Sequence, residues 1–188
     1  MSGVGSSCGV GVPRTRLAAM VVGGGGGERL GGVSKPDLVF GGVRLVDRVC
    51  CALGEVAGAG VVAIVPPSVR VPTGVTRALE DPPGGGPLAG IDAGLAALSV
   101  GADCWVIVVS VDCPGIADIL SCLLAEPLGI ACDGRILRGG DPESFDQYLM
   151  GVYRAGALRR AIDEAVARHG SVRGMGVRRV LRALALER

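Results

Sequence analysis

The chain of 188 residues is 49% apolar, carries a formal net charge of +1 and holds five aromatic residues, a length that supplies one substantial core. With acids and bases scattered and so few rings for base stacking, the composition excludes a nucleic-acid partner and an anionic membrane surface. No apolar run approaches the ~20 residues of a bilayer-crossing helix, so a soluble, cytoplasmic protein without a membrane partner is expected.

Residues 1–16, "MSGVGSSCGVGVPRTR", lack the apolar core of a signal peptide. Residues 1–15 read as a flexible N-terminus and 16–188 as a single domain. Seven cysteines with no C-x-x-C pair, far from the one histidine, His169, argue against structural zinc, and their odd number suits a reducing compartment. Cys50, Cys51, Cys104, Cys122 and Cys132 lie in apolar runs, where a thiol is expected to be a small buried hydrophobe. His169, in "ARHGSVRG", reads as a solvated residue at a helix end rather than half of a nucleophile–histidine pair.

In chain order, "RLAAMVVG" (16–23) reads as a buried strand ending in glycines. The spacing of Val43, Val46, Val49, Cys50 and Leu53 predicts an amphipathic helix over 43–58, closed by Gly58. "GVVAIV" (60–65) is a second buried strand, stopped by Pro66 and Pro67. A helix over 91–100, a central strand "CWVIVVSVD" (104–112) and a helix over 115–126 follow. "QYLMGVY" (147–153) is a further strand, and 157–170 and 177–188 are helices by periodicity. Alternating strands and helices predict a three-layer α/β/α, Rossmann-like fold with a mostly parallel central sheet and its sites at the carboxyl ends of the strands.

The first strand runs into "VVGGGGGERLGGVSK" (21–35). A glycine loop after a buried strand lets backbone N–H groups approach a ligand closely, and phosphate suits such a nest. The chain contains no Gly-Lys dipeptide, so this is not a P-loop, and G-x-G-x-x-G fails in every register. What remains is G-G-x-x-x-R-x-G-x-x-x-K, met by Gly24, Gly25, Arg29, Gly31 and Lys35. Lys35 is the only lysine beside eighteen arginines. A compact ammonium fits a phosphate slotted between other groups better than a planar guanidinium does; the alternative is a solvated cation in a flexible linker.

Two further segments carry candidates. Asp112, in "VVSVDCPG", ends an apolar strand, where a carboxylate faces the crevice and suits Mg2+ beside phosphate, or else caps the helix beginning near Gly115. In "EDPPGGGPLAG" (80–90), the glycines can lie against a flat ligand with Asp81 as acceptor, or form a plain surface loop.

Together these segments, with "DQYLMGVYRAGAL", resemble the molybdenum cofactor guanylyltransferase family, within the sugar-nucleotide-transferase-like nucleotidyltransferases, over roughly residues 16–182. The resemblance implies a nucleotide-binding loop at Val22, Gly23, Gly24 and Gly25 and phosphate-binding, catalytic Arg29 and Lys35. It also implies a nucleotide-contacting Asp81, a catalytic, nucleotide-binding and metal-holding Asp112, and Asp146 and Gln147 facing the pterin acceptor. It further implies transfer of GMP from GTP to molybdopterin bearing molybdenum, with Mg2+ and release of pyrophosphate. Molybdoenzyme-maturation proteins are the implied partners, and the chain a monomer or small homo-oligomer. Cytidylyl transfer to the same pterin, guanylyl transfer to cobinamide phosphate or phospholactate, or a nucleotide- or pterin-binding module are the alternatives. The chain departs from the family at Gly23 (usually alanine), by one extra residue before Lys35, and at Cys113 (often methionine). "LRALALER" also lacks the family's closing strand with its Asn/Asp-Thr-Pro-Glu-Asp turn.

Overall fold

The structure is a computed structural model describing residues 12–23, 34–129, 131–140 and 143–188. In chain order, β1 (Leu17–Val22) is followed by a 3-10 turn (Lys35–Asp37) and a hairpin of β2 (Val39–Phe40) and β3 (Val43–Arg44). Then come α1 (Leu45–Val56), β4 (Val61–Ile64), β5 (Val75–Ala78) and α2 (Pro87–Leu98). The chain continues through β6 (Trp105–Ser110), α3 (Ile116–Leu124), β7 (Gly134–Gly139) and β8 (Phe145–Arg154). It ends with α4 (Ala155–His169), α5 (Val177–Leu181) and β9 (Leu186–Glu187).

Seven strands form one sheet in the order β5-β4-β1-β6-β8-β7-β9. Only β8 runs antiparallel to its neighbours, β6 and β7; the other pairings are parallel. All six residues of β1 are buried, as a strand covered on both faces requires. Ala18, Met20 and Val22 point into the core under α2, α4 and α5, whereas Leu17, Ala19 and Val21 face α1 and α3. This is the expected three-layer arrangement. Among the described residues no helix is long and apolar enough to cross a membrane.

Three sequence expectations need correction. The helix foreseen over 43–58 begins at Leu45, because Val43–Arg44 pairs with Val39–Phe40 across Gly41 and Gly42, both at positive φ; Val43 is exposed. The helix foreseen over 91–100 begins a turn earlier, at Pro87, where proline's missing N–H costs nothing. The helix foreseen over 177–188 stops at Leu181: Val177, Val180 and Leu181 fill the core, the chain turns through Arg182, Ala183 and Leu184, and only Leu186 and Glu187 are extended. So the closing strand absent from the sequence reading is present as β9, on the edge of β7. The cysteines divide likewise. Cys50 and Cys104 are buried as expected, Cys132 is partly covered, and Cys51 and Cys122 are exposed, being on the outer faces of α1 and α3.

α2 lies close on the sheet through two glycines. A Cβ at Gly90 would sit 3.0 Å from Ile64 Cγ2, and one at Gly94 would sit 2.9 Å from Ile64 Cδ1 and 3.2 Å from Met20 Sδ. Gly94→Val therefore forces the branched side chain into a filled layer and should destabilise the fold by about 1–3 kcal/mol. A lowered urea midpoint with unchanged slope checks this.

Candidate nucleotide and metal site

Because β4, β1 and β6 are parallel, their carboxyl ends open on one side, the usual ligand side of such sheets. Val22 sits between Ile64 and Ser110 in the ladders. Beyond it, Gly23 donates its N–H to the Ile64 carbonyl at 2.9 Å and Val111 donates to the Val22 carbonyl at 3.0 Å. Gly23 has little room for a side chain: a Cβ there would meet Val65 Cγ1 at 2.8 Å and Pro36 Cγ at 3.1 Å. Gly24, Gly25, Arg29 and Gly31 lie outside the described residues.

The chain re-enters at the 3-10 turn, and Lys35 Nζ donates to Asp112 Oδ2 at 3.3 Å. The two side chains are 45% and 48% exposed. Asp112 Oδ1 also accepts the hydroxyl of Ser110, the last residue of β6, two positions before Asp112 in the turn that follows, where the strand expected to reach 112 has already ended. Partial burial pushes the Asp112 pKa up, but the Ser110 hydroxyl and the Lys35 ammonium outweigh it, leaving the carboxyl below its ordinary value. The capping alternative is corrected: Gly115 holds the N-cap of α3 and no side chain caps it. Cys113, beside it, turns inward, and burial, aided by the Asp112 charge, pushes its thiol up to about 11, so it is a neutral packing group at pH 7.

Asp81 stands on the loop after β5, exposed and without a hydrogen bond or ion pair among the described residues. The loop beneath it is held from both sides. Glu80 Oε1 accepts the N–H groups of Gly84 at 3.1 Å and Gly85 at 3.0 Å. From the far end of the chain, the Arg173 guanidinium donates to the Pro82 carbonyl and, at 3.2 Å, to that of Pro83, while Gly174 N–H reaches the Gly85 carbonyl at 2.8 Å. Gly85 has room for no side chain, since a Cβ would stand 2.8 Å from both Ala89 Cβ and Arg173 Nη1.

Asp146 and Gln147 open β8, opposite Arg138 and Leu137 of β7. The antiparallel register with β6 puts this end of β8 beyond the carboxyl end of β6, on the same end of the sheet as Asp112. Asp146 is already engaged: Arg188 Nε donates to its Oδ1 and Nη2 to its Oδ2, each at 3.0 Å, and Arg138 Nε is 3.5 Å from Oδ1. Arg188 first, and then Arg138, hold its carboxyl below the ordinary range. His169 is the exposed last residue of α4, away from these groups.

The structure thus joins Val22, Gly23, Lys35 and Asp112 directly, sets Asp146 and Gln147 one strand beyond, and carries Asp81 on the opposite flank. Ser110, Glu80, Arg173 and Arg188 escaped the sequence reading. Ser110 alone had a local signal, its two-residue offset from Asp112.

The sequence profile of the MobA-like NTP transferase domain matches residues 19–187. The chain belongs to the MobA-like NTP transferase family. It is therefore a nucleotidyltransferase. No curated protein matches it by sequence. Molybdopterin-guanine dinucleotide biosynthesis protein A from Archaeoglobus fulgidus has a similar fold, with a TM-score of 0.64 and 20% identity over 90% of this chain and 81% of that one. So does 2-C-methyl-D-erythritol 4-phosphate cytidylyltransferase from Thermus thermophilus, with a TM-score of 0.66 and 17% identity over 90% and 86%. A Mycobacterium sp. strain JC1 homologue of Mycobacterium tuberculosis rv0371c gives 0.63 and 19% over 94% and 86%.

NTP transferases of this kind generally use a divalent metal. The described residues contain no group of three or more His, Cys, Asp or Glu able to hold an ion, so they form no all-protein cage. A single half-exposed, ionised carboxylate at a strand end does fit a hard cation that takes one or two carboxylates and fills its shell with phosphate and water oxygens.

Two outcomes test this geometry. Because the Asp112 pKa is lowered in the folded chain, its pairing contributes above the ordinary carboxylate value and is lost as pH falls through the lowered one; Lys35→Ala should move the carboxyl pKa upward in an NMR titration. Glu80→Ala should speed hydrogen exchange of the Gly84 and Gly85 amides by about tenfold or more, the loss of a charge-assisted bond to each.

Proposed function

We propose that this MobA-like NTP transferase is a molybdenum cofactor guanylyltransferase, joining GMP from GTP to the terminal phosphate of molybdopterin that bears molybdenum and releasing pyrophosphate. The observation that carries the reading is the pairing of the chain's one lysine with Asp112 at the carboxyl ends of β1 and β6. The attacking phosphate oxygen is already anionic, so no general base is required, and the task is orientation and charge neutralisation. Backbone groups of Val22, Gly23, Gly24 and Gly25 with Arg29 and Lys35 cradle the triphosphate. Before nucleotide enters, Lys35 donates to Asp112; with nucleotide present its ammonium turns to phosphate oxygens and frees the carboxylate.

Asp112 would hold Mg2+, which when bound neutralises charge on the reacting phosphate and its leaving group. Asp81, on the loop braced by Glu80 and Arg173, offers a carboxylate to the N–H groups of the base. At the other flank Asp146 is committed to Arg188 and Arg138. The acceptor therefore meets the Gln147 amide and a carboxylate already neutralised by guanidinium. A cytoplasmic setting and molybdoenzyme-maturation partners go with this reading.

The fold shared with a cytidylyltransferase favours a second reading, cytidylyl transfer, and nothing in the phosphate cradle selects guanine. Retention of radiolabelled nucleotide with Mg2+ distinguishes them: preferential retention of GTP is expected, and preference for CTP overturns the guanylyl assignment. Pyrophosphate release separates either enzyme from a nucleotide or pterin carrier. Asp112→Ala should lower kcat by about a thousandfold or more, the scale of losing preorganised charge stabilisation. Lys35→Ala should cost more than Arg29→Lys, because only the former removes a cation; wild-type rates in Asp112→Ala would defeat the metal role.

A further inference from the structure

Charge along the chain is less evenly scattered than its net value suggests. Residues 154–188 hold nine of the eighteen arginines against only Asp163, Glu164 and Glu187, whereas the preceding residues are net negative. The fold gathers part of this excess into a cavity of about 500 Å3 between α4 and α5. Arg160, Glu164 and Arg168, four residues apart, share one face of α4 toward it, and Arg179 and Arg182 line it from and just after α5. None of its lining residues belongs to the nucleotide and metal site.

The partners of these arginines differ. Arg160 meets Asp133, a half-buried carboxylate that also accepts the Ala185 N–H, at 3.3 Å, and Arg168 meets Glu164 at 3.1 Å in an exposed pair of little strength. Arg179 and Arg182 are exposed and have no carboxylate partner among the described residues, although eight other arginines make ion pairs. Two arginines without a carboxylate partner among the described residues lining one concave volume, with two more across it, suit a group bearing several phosphate oxygens, which guanidinium binds two at a time. The volume lies within the range of small-ligand sites.

We propose that the α4–α5 cavity is a second phosphate site of this nucleotidyltransferase, taking a pyrophosphate group. That group is free pyrophosphate, the product of nucleotidyl transfer, or the tail of a nucleoside triphosphate, the substrate. The proposal rests on the activity class alone and stands whichever base or acceptor the enzyme uses.

Calorimetric titration of pyrophosphate into the full chain in EDTA tests it. A binding event is expected that Arg179→Ala/Arg182→Ala weakens at least tenfold and Lys35→Ala leaves in place. Both replaced side chains are exposed, so the double variant should melt as wild type does. Arg178, exposed on the same short helix but outside the cavity lining, is the control. Absence of the event, its persistence in the double variant, or equal weakening by Arg178→Ala overturns the site, the last because it would reflect diffuse charge. GTP added to pyrophosphate-loaded Lys35→Ala protein then identifies the source: displacement assigns the triphosphate tail and no displacement assigns free pyrophosphate, each with the site retained.

Discussion

The constraint on which the rest depends is the double burial of β1. Hydrogen-bonded on both edges and covered on both faces, this strand has no place for a polar side chain along its six residues. Polar chemistry is displaced to its carboxyl end. There the backbone itself fixes the geometry, because Gly23 is tied to Ile64 and Val111 to Val22. Asp112 is therefore positioned by three clamped strands rather than by packing of its own side chain. The absence of a Cβ at Gly23 belongs to the same clamp, since Val65 and Pro36 occupy the space.

Half-exposure of the Lys35–Asp112 pair follows from that location and governs what it can do. Deeply buried, two opposite charges would owe so much to each other that separating them would cost several kcal/mol. At roughly half exposure on each side, their mutual attraction is on the order of 0–1 kcal/mol, which a phosphate on one side and a cation on the other readily exceed. The pair holds both charges where a ligand enters without locking either. The Ser110 hydroxyl holds the other carboxylate oxygen independently of the ammonium.

Much of this was legible in the sequence, and the failures have physical causes. Alternating apolar strands and amphipathic helices announced the layered fold, and Lys35 and Asp112 stood out as a singular cation and a carboxylate at a strand end. The direction of β8 was not legible, because an apolar run such as "QYLMGVY" reads the same either way. Residues 182–188 were misread because two alternating leucines are too short a signal to outweigh the helical spacing of Val177, Val180 and Leu181; pairing with β7 fixes only Leu186 and Glu187, after a turn at 182–183. The engagement of Asp146 by Arg188 spans 42 positions and has no local trace. Glu80 and Asp81 are adjacent carboxylates that sequence cannot tell apart, yet one braces the loop from inside and the other has no partner among the described residues.

That last contrast extends to the cations. A chain with thirty-three glycines has few side chains with which to shape its loops, and guanidinium groups take over the task. Arg135 donates to the carbonyls of Leu123, Glu126 and Pro127 while holding Glu187. Arg44 joins Asp37, Asp47 and the Arg70 carbonyl, and Arg173 gathers the two proline carbonyls beside Asp81. A planar fork with five donors ties several fixed acceptors at once. An ammonium is poor at that and better at moving between a carboxylate and an arriving phosphate. The arginine bias and the solitary lysine are thus two sides of one division of labour under the proposed function, in which loops without side chains are held by forks and the crevice keeps a point charge for the phosphate.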